Sequence, residues 1–196
     1  MELEVRKRKS GLLSSLQQGE NGGMLIAESS GRYAEAARDG RLFSVASSAA
    51  VATTAAAATT WTGLGIANPT GSEKLLILLQ FGWALSVVGP DEGIIGLMGV
   101  TDSGFAAALT VQCARYGAAA SVAYADDGAT IVSPVLERVV STYGTGAITT
   151  WQGAGPQIYN IDGSIVLPAG RGICTYTTTA TTAAFQFFFL WEEVSI

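Results

Sequence analysis

Beyond Gly40 the chain runs in short apolar stretches separated by clusters of Gly, Pro, Asn, Asp, Ser and Thr. The separators "NPTGS", "GPDEG", "TDSG", "YGAAA", "ADDG", "YGTG", "QGAGP", "PAGRG" and "TATTA" carry turn chemistry. Gly reaches positive φ, Pro presets φ, and Asn and Asp side chains bond their own backbone. The stretches between them predict strands over 42–51, 60–68, 73–88, 93–100, 105–114, 119–124, 130–140, 146–151, 157–167, 171–178 and 183–194. Short strands at 8–12-residue spacing indicate an all-β sandwich or barrel. No segment beyond Gly40 sustains the 3.6-residue apolar period of a helix.

Two of these strands are apolar on both faces. "EKLLILLQFGWALSVV" shows continuous hydrophobicity, which requires a core on one face and another sheet or a subunit on the other. In "AFQFFFLWEEV", Phe185, Phe187 and Phe189 share one face while Phe188 and Leu190 share the other. An exposed strand of that kind invites aggregation, and burial in a symmetric assembly would remove the hazard.

Residues 1–41 have a different texture. "MELEVRKRKSGLLSSLQQGENGG" mixes charge, Gly and Gln with little periodicity and reads as an extended arm. "ESSGRYAEAARDG" predicts one short helix, capped by Ser29 or Ser30, ended by Gly40, with Arg38 near its carboxyl end. The expected organisation is therefore an arm with a short helix over 1–41 and a β-domain over 42–196. "RKRK" is followed by residues too polar for the apolar core of a secretory leader.

Charge sharpens this picture. Charged residues make up 14% of the chain, against roughly 25% in an ordinary globular protein. Thr and Ser can supply part of a polar coat. The remainder points to surface covered by partner subunits, because obligate interfaces are poor in charge; a Thr/Ser-rich monomer is the alternative. From Leu42 to Ser72 no residue is charged. That run is long enough to cross a bilayer, but it consists of Ala, Thr, Ser and Gly and would insert poorly. It is expected to form a strand, a loop through the alanines and a second strand starting near Trp61, with no membrane partner. From position 42 onward there are four basic and ten acidic residues, a balance of −6. An acidic body does not attract a phosphate backbone, so no nucleic-acid partner is expected for the main domain.

Candidate chemistry is sparse. Cys113 and Cys174 sit in apolar strand contexts and read as free small hydrophobes, with a disulfide the other option. Two isolated cysteines without histidine cannot build a four-ligand zinc site, and no metal or cofactor is expected. Asp102-Ser103-Gly104 resembles the catalytic turn of aspartic proteases, but that chemistry needs two carboxylates sharing a proton, hence a dimer; Asp-Ser-Gly is also an ordinary turn. In "GIANPTGSEK" the Gly-to-Lys spacing does not fit a phosphate-binding loop, and a strand follows. Asp126 and Asp127 in "ADDGA" lack the alternating oxygen ligands of a calcium loop and read as a hairpin turn. Glu192 and Glu193 read as an adjacent exposed pair able to meet arginines across an interface. Without histidine a serine or cysteine nucleophile lacks its commonest base, so an enzyme is not expected. Tyr33, Trp61, Trp83, Trp151 and Trp191 fit core or interface packing better than a sugar platform.

Four blocks taken in order, "GRYAEAARDGRLFSVAS" (31–47), "TGLGIANPTGSEKLLIL" (62–78), "DGSIVLPAGRGI" (162–173) and "FFFLWEEV" (187–194), resemble small virion structural proteins of tailed bacteriophages. The resemblance implies a jelly-roll-like antiparallel β-sandwich, assembled as a homotrimer and displayed on the virion after assembly in the bacterial cytoplasm. It implies a capsid decoration or cement protein whose partners are itself and the major capsid protein or other virion proteins. Arg6, Arg8, Arg32, Tyr33, Arg38 and Arg41 are the residues expected to meet the shell. Trp83, Phe185, Phe187, Phe188, Phe189 and Trp191 are those expected to hold the trimer. The alternative within the same resemblance is a tail or fibre component binding host glycans through the charge-free stretch 143–160, with Trp151 as the test position.

Overall fold

The computed structural model describes residues 4–6, 13–15, 32–87, 92–144, 157–181 and 184–196. The chain divides into two compact units, Met1–Glu35 and Ala36–Ile196. In the first, β1 (Glu4–Arg6) pairs antiparallel with β2 (Leu13–Ser15), and the Arg32 guanidinium lies 5.6 Å from the centre of the Tyr33 ring.

The helix α1 (Ala34–Arg38) is a single short segment. Gly40, at φ 73°, ends it: Gly40 N–H donates to Ala37 O and Arg41 N–H to Ala36 O, the paired bonds of a Schellman stop. Ser29 and Ser30, expected as caps, lie outside the described residues.

The second unit holds β3 (Leu42–Ala46), β4 (Thr60–Asn68), β5 (Lys74–Val87), β6 (Glu92–Thr101), β7 (Gln112–Cys113), β8 (Tyr124–Thr130), β9 (Val135–Gly144), β10 (Gln157–Leu167), β11 (Arg171–Thr177) and β12 (Ala184–Ser195). They form two five-stranded antiparallel sheets, ordered β10-β5-β12-β3-β7 and β8-β4-β11-β6-β9. Pairing is nested: β6 with β9, β5 with β10, β4 with β11 and β3 with β12. A two-stranded ribbon has been rolled so that β12 also meets β5 and β11 also meets β6. That is the order of a jelly roll, with β7 and β8 added at one margin of each sheet.

The alternation seen in the sequence sets the core. Leu76, Leu78, Phe81, Trp83, Phe185, Phe187, Phe189 and Trp191 from one sheet meet Leu64, Ile66, Ile95, Leu97 and Ile173 from the other. Phe81 stands opposite Phe189 in register, with ring centres 5.1 Å apart. Phe187 continues the row at 6.0 Å from Phe81 and 5.5 Å from Phe185. On the other face of this sheet the Phe188 ring lies over Gly82, where a Cβ would sit 1.9 Å from a ring carbon. A second apolar cluster, Trp61, Ala67, Met98, Val100, Phe105, Ile131 and Cys174, covers the outer face of the β4 sheet. Gly65 makes it possible, since a Cβ there would meet the Phe105 ring at 2.6 Å.

Strands 60–68 and 157–167 match the sequence reading in both bounds, and β5, β6, β11 and β12 differ by a residue or so. The middle of the chain differs more. Of 105–114 only Gln112–Cys113 is strand, β8 begins where the predicted 119–124 strand ends, and β9 runs from 135 to 144; 146–151 lies outside the described residues. Asp126 and Asp127, read as a hairpin turn, lie inside β8. Asp126 tolerates that place because its buried carboxylate accepts Ala106 N–H and Gly128 N–H, both at 3.0 Å, so the local bonds that would make a turn instead brace an edge strand.

The charge-free stretch 42–72 satisfies its polar groups internally. Thr53 Oγ1 lies 2.6 Å from Thr177 Oγ1 and 3.0 Å from Thr181 Oγ1, Thr177 donates to Thr54 O, and Thr62 Oγ1 donates to Ala52 O. Val51 bridges to Phe185 of β12 before the chain crosses to β4. Hydroxyls bonded to backbone replace the charges that a solvated loop would carry.

Asn68, fully buried, joins two corners where the chain changes sheet. Its Nδ2 donates to Lys74 O at 2.8 Å and to Leu167 O at 2.9 Å. Its Oδ1 accepts from Ser72 Oγ, and its backbone carbonyl accepts Gly170 N–H. Asn68→Ala removes the side-chain donor to Leu167 O and leaves Lys74 O the longer 3.3 Å bond from Ser72 Oγ, at a cost of about 1–3 kcal/mol for each buried carbonyl left unsatisfied. Urea unfolding of Asn68→Ala is expected to show a loss of about 3 kcal/mol with an unchanged slope.

Candidate functional site: the open edge between β9 and β10

β9 and β10 are the outermost strands of the two sheets, each with one unpaired side. They lie along the same side of the sandwich, where Arg138 of β9 donates to Ser164 Oγ at 2.9 Å and to Ser164 O at 3.2 Å. Between them runs an open groove of about 540 Å³, with Val135, Leu136, Glu137, Ser164, Val166 and Arg171 in its walls. Among the described residues, β7 and β8 end the sheets at their other margins, and the longer strands β9 and β10 end them here.

Beside Glu137, Asn160 and Ser164, this edge exposes five large apolar residues. Val135 is 65% exposed, Val139 57%, Ile158 55%, Val166 44% and Leu136 42%. Two irregularities explain why β9 turns consecutive side chains outward. Its register with β6 slips between Ile95 and Gly96 and between Leu97 and Met98, and a bulge interrupts the in-out alternation. β10 is likewise interrupted between Asn160 and Ile165. Asp162 and Gly163 there adopt φ of 54° and 77°, and Ile161 and Ile165 still reach the core. A long margin with free N–H and C=O groups and exposed valines is a template for docking. Its arrangement can bind an extended chain or pack against another sheet.

The residues expected at a trimer interface sit elsewhere. Trp83, Phe185, Phe187, Phe189 and Trp191 are buried in the core of one chain, because the sheet that covers them is β4-β11-β6 of the same molecule. Phe188 alone of that set turns outward, half-buried over Gly82. Glu192 and Glu193 are not an exposed pair. Glu192 forms an ion pair with Arg41, and Glu193, only 3% exposed, binds Lys74 Nζ at 2.7 Å while accepting Ser121 Oγ and Val122 N–H.

Among the expected shell contacts, Arg6 lies in β1 opposite Leu13, Arg32 stacks on Tyr33, and Arg8 lies outside the described residues. Arg38 is exposed at the end of α1. Arg41 is engaged by Asp39 at 3.5 Å and by Glu192. Trp151 and 145–156 of the stretch expected to meet glycans lie outside the described residues. Both cysteines are free thiols, and burial pushes that of Cys174 far above its ordinary range. The edge residues Val135, Leu136, Val139, Ile158 and Val166 went unmarked in the sequence, since a valine on a margin has the same pattern as one on a covered strand.

Neither a protein-family model, nor a curated protein, nor a solved structure matches this chain.

Asp102, the lone aspartate of the protease-like turn, serves the corner near Asn68. Its Oδ2 accepts Thr70 N–H at 2.6 Å and Thr70 Oγ1–H at 2.8 Å, and its own N–H donates to Gly170 O. The Thr70 backbone bond, then the Thr70 hydroxyl, hold its carboxyl below the ordinary aspartate range. A carboxylate lowered in the fold adds stability above its unfolded pKa and loses it as pH falls through the folded value. The stability gap between the wild type and Asp102→Asn is therefore expected to be full at neutral pH and to close below about pH 4, as read by urea midpoints across that range.

Proposed function

We propose that the chain is a structural subunit that assembles through the β9/β10 edge, in the manner of a virion decoration or cement protein, and performs no chemistry. The observation that carries this reading is the exposed apolar margin of Val135, Leu136, Val139, Ile158 and Val166. It stands beside a groove whose walls are strand edges rather than convergent catalytic groups. The sequence resemblance to tailed-phage virion proteins supplies the class of particle, and the jelly-roll order suits that role.

The proposed trimer changes its contact. With the open edge turned toward a threefold axis, the β9 flank of each copy meets the β10 flank of the next, a heterologous contact that closes after three. Val135, Leu136 and Val139 then face Ile158 and Val166 of the neighbour. Aromatic strands are not needed for this and stay in the protomer core. The trimer would sit on the shell and tie neighbouring capsid subunits together.

Light scattering after size exclusion reads this directly. The wild type is expected at three times the chain mass, and Val135→Lys with Val139→Lys at the mass of one chain, with unchanged circular dichroism. A wild-type monomer at micromolar concentration, or a charged-edge variant that remains trimeric, overturns the proposed contact.

A further inference from the structure

At the opposite margin of the β10-β5-β12-β3-β7 sheet, the segment after β7 forms an anchored tip. Ala118 N–H donates to Arg115 O at 3.1 Å, and Gly117 holds φ of 77°. A four-residue turn with positive φ at its third position places Tyr116 at its corner. Tyr116 is 91% exposed. The tip is nonetheless fastened on both sides: Ala114 N–H donates to Leu42 O at 2.9 Å, and Ser121 Oγ and Val122 N–H both donate to the buried Glu193 carboxylate.

The same tip gathers positive charge in an otherwise acidic body. Arg115 Nη1 donates to Arg38 O at 3.3 Å, joining the turn to the end of α1. Gly40 lets the two backbones meet, since a Cβ there would lie 3.1 Å from Ala118 Cβ. Arg38 and Arg115 are both exposed. Among the described residues neither forms an ion pair, whereas Arg41 and Lys74 do.

The Tyr116 ring stands in water on a fixed turn, next to the Arg115 guanidinium that is bonded to Arg38 O, and neither Arg38 nor Arg115 has an acidic partner among the described residues. Tyr and Arg presented rigidly are the side chains that dominate interface energies, and prior ordering reduces the entropy lost on binding. We propose that Arg38, Arg115 and Tyr116 form a docking tip for an acidic protein surface, the guanidiniums meeting carboxylates around the seat of the tyrosine ring. The inference rests on the structural-subunit reading and names its second contact, a shell protein with an acidic face, distinct from the copy-to-copy edge at β9/β10.

The test uses particles of the virus that encodes the chain, prepared without it, and full-length protein added back. Bound copies per particle are counted after pelleting at about 50 mM and about 500 mM salt, a range over which exposed charge pairs are progressively screened. Wild-type protein is expected to pellet at low salt and to be lost at high salt. Tyr116→Ala, and Arg38→Glu with Arg115→Glu, are expected to pellet at least tenfold less at low salt while remaining trimeric with unchanged circular dichroism. If wild-type protein does not pellet, the structural-subunit reading fails. If wild type and both variants pellet alike, that reading stands and the docking tip is overturned. Binding of wild-type protein to a 30-base-pair DNA duplex, lost in the double-arginine variant, would assign the tip to nucleic acid and overturn it as well.

Discussion

Everything in the second unit depends on the pairing of β12 with β5. β12 is the last strand of the ribbon and β5 lies in its inner half, so their contact turns a flat double strand into two facing sheets. Lys74 and Glu193, joined at one end of this pairing, are 119 residues apart in sequence. The entropy of closing so long a loop grows only slowly with its length, and the return is the aromatic row of Phe81, Phe187 and Phe189, whose rings meet at 5–6 Å. Aromatic cross-strand pairs stabilise a sheet by up to about 1 kcal/mol each beyond ordinary contacts. Here they also fix the register, because a slip of β12 by one residue would carry Phe187 and Phe189 out of the core and away from Phe81.

The polar corners follow from that closure. Once β5 and β12 lie side by side, the chain must cross between sheets at both ends of the sandwich, and each crossing leaves backbone groups without a ladder partner. Asn68 takes up two such carbonyls, Asp102 ties a third connection to the same corner, and Glu193 does the equivalent work at the far loop. Asn68 and Glu193 are among the buried polar side chains and Asp102 is only partly covered; each holds a turn.

Much of the architecture was legible before any coordinates. Turn residues at regular spacing gave β4, β5, β6, β10, β11 and β12 to within a residue or so, whereas β3 ends at Ala46 instead of 51 and β9 starts at Val135 instead of 130, and the alternation in "AFQFFFLWEEV" correctly separated Phe185, Phe187 and Phe189 from Phe188. What that alternation could not tell was whose core the inward face joins. A ring buried under its own chain and one buried under a neighbour have the same hydrophobic pattern, so the sequence alone does not separate Phe185, Phe187 and Phe189, which lie in the core of one chain, from interface residues. The same limit hid the β9/β10 edge, where Val135 and Val139 look like covered residues until the strand order shows nothing beside them. Asp126 and Asp127 misled for a different reason: aspartates that usually close a hairpin can brace an edge strand when nearby N–H groups turn toward them.

The nested ribbon has a tip, and the segment between β6 and β9 is that tip. Lengthening a ribbon at its tip leaves every pair along its sides in place, so this is where the fold accepts new sequence at least cost to what is already paired. The segment supplies a strand to one margin of each sheet, β7 beside β3 and β8 beside β4, together with the turn that carries Tyr116. For an engineer the same position is a graft site: a foreign peptide spliced between Tyr116 and Ala119 would be displayed outward on a scaffold whose core pairings it never touches.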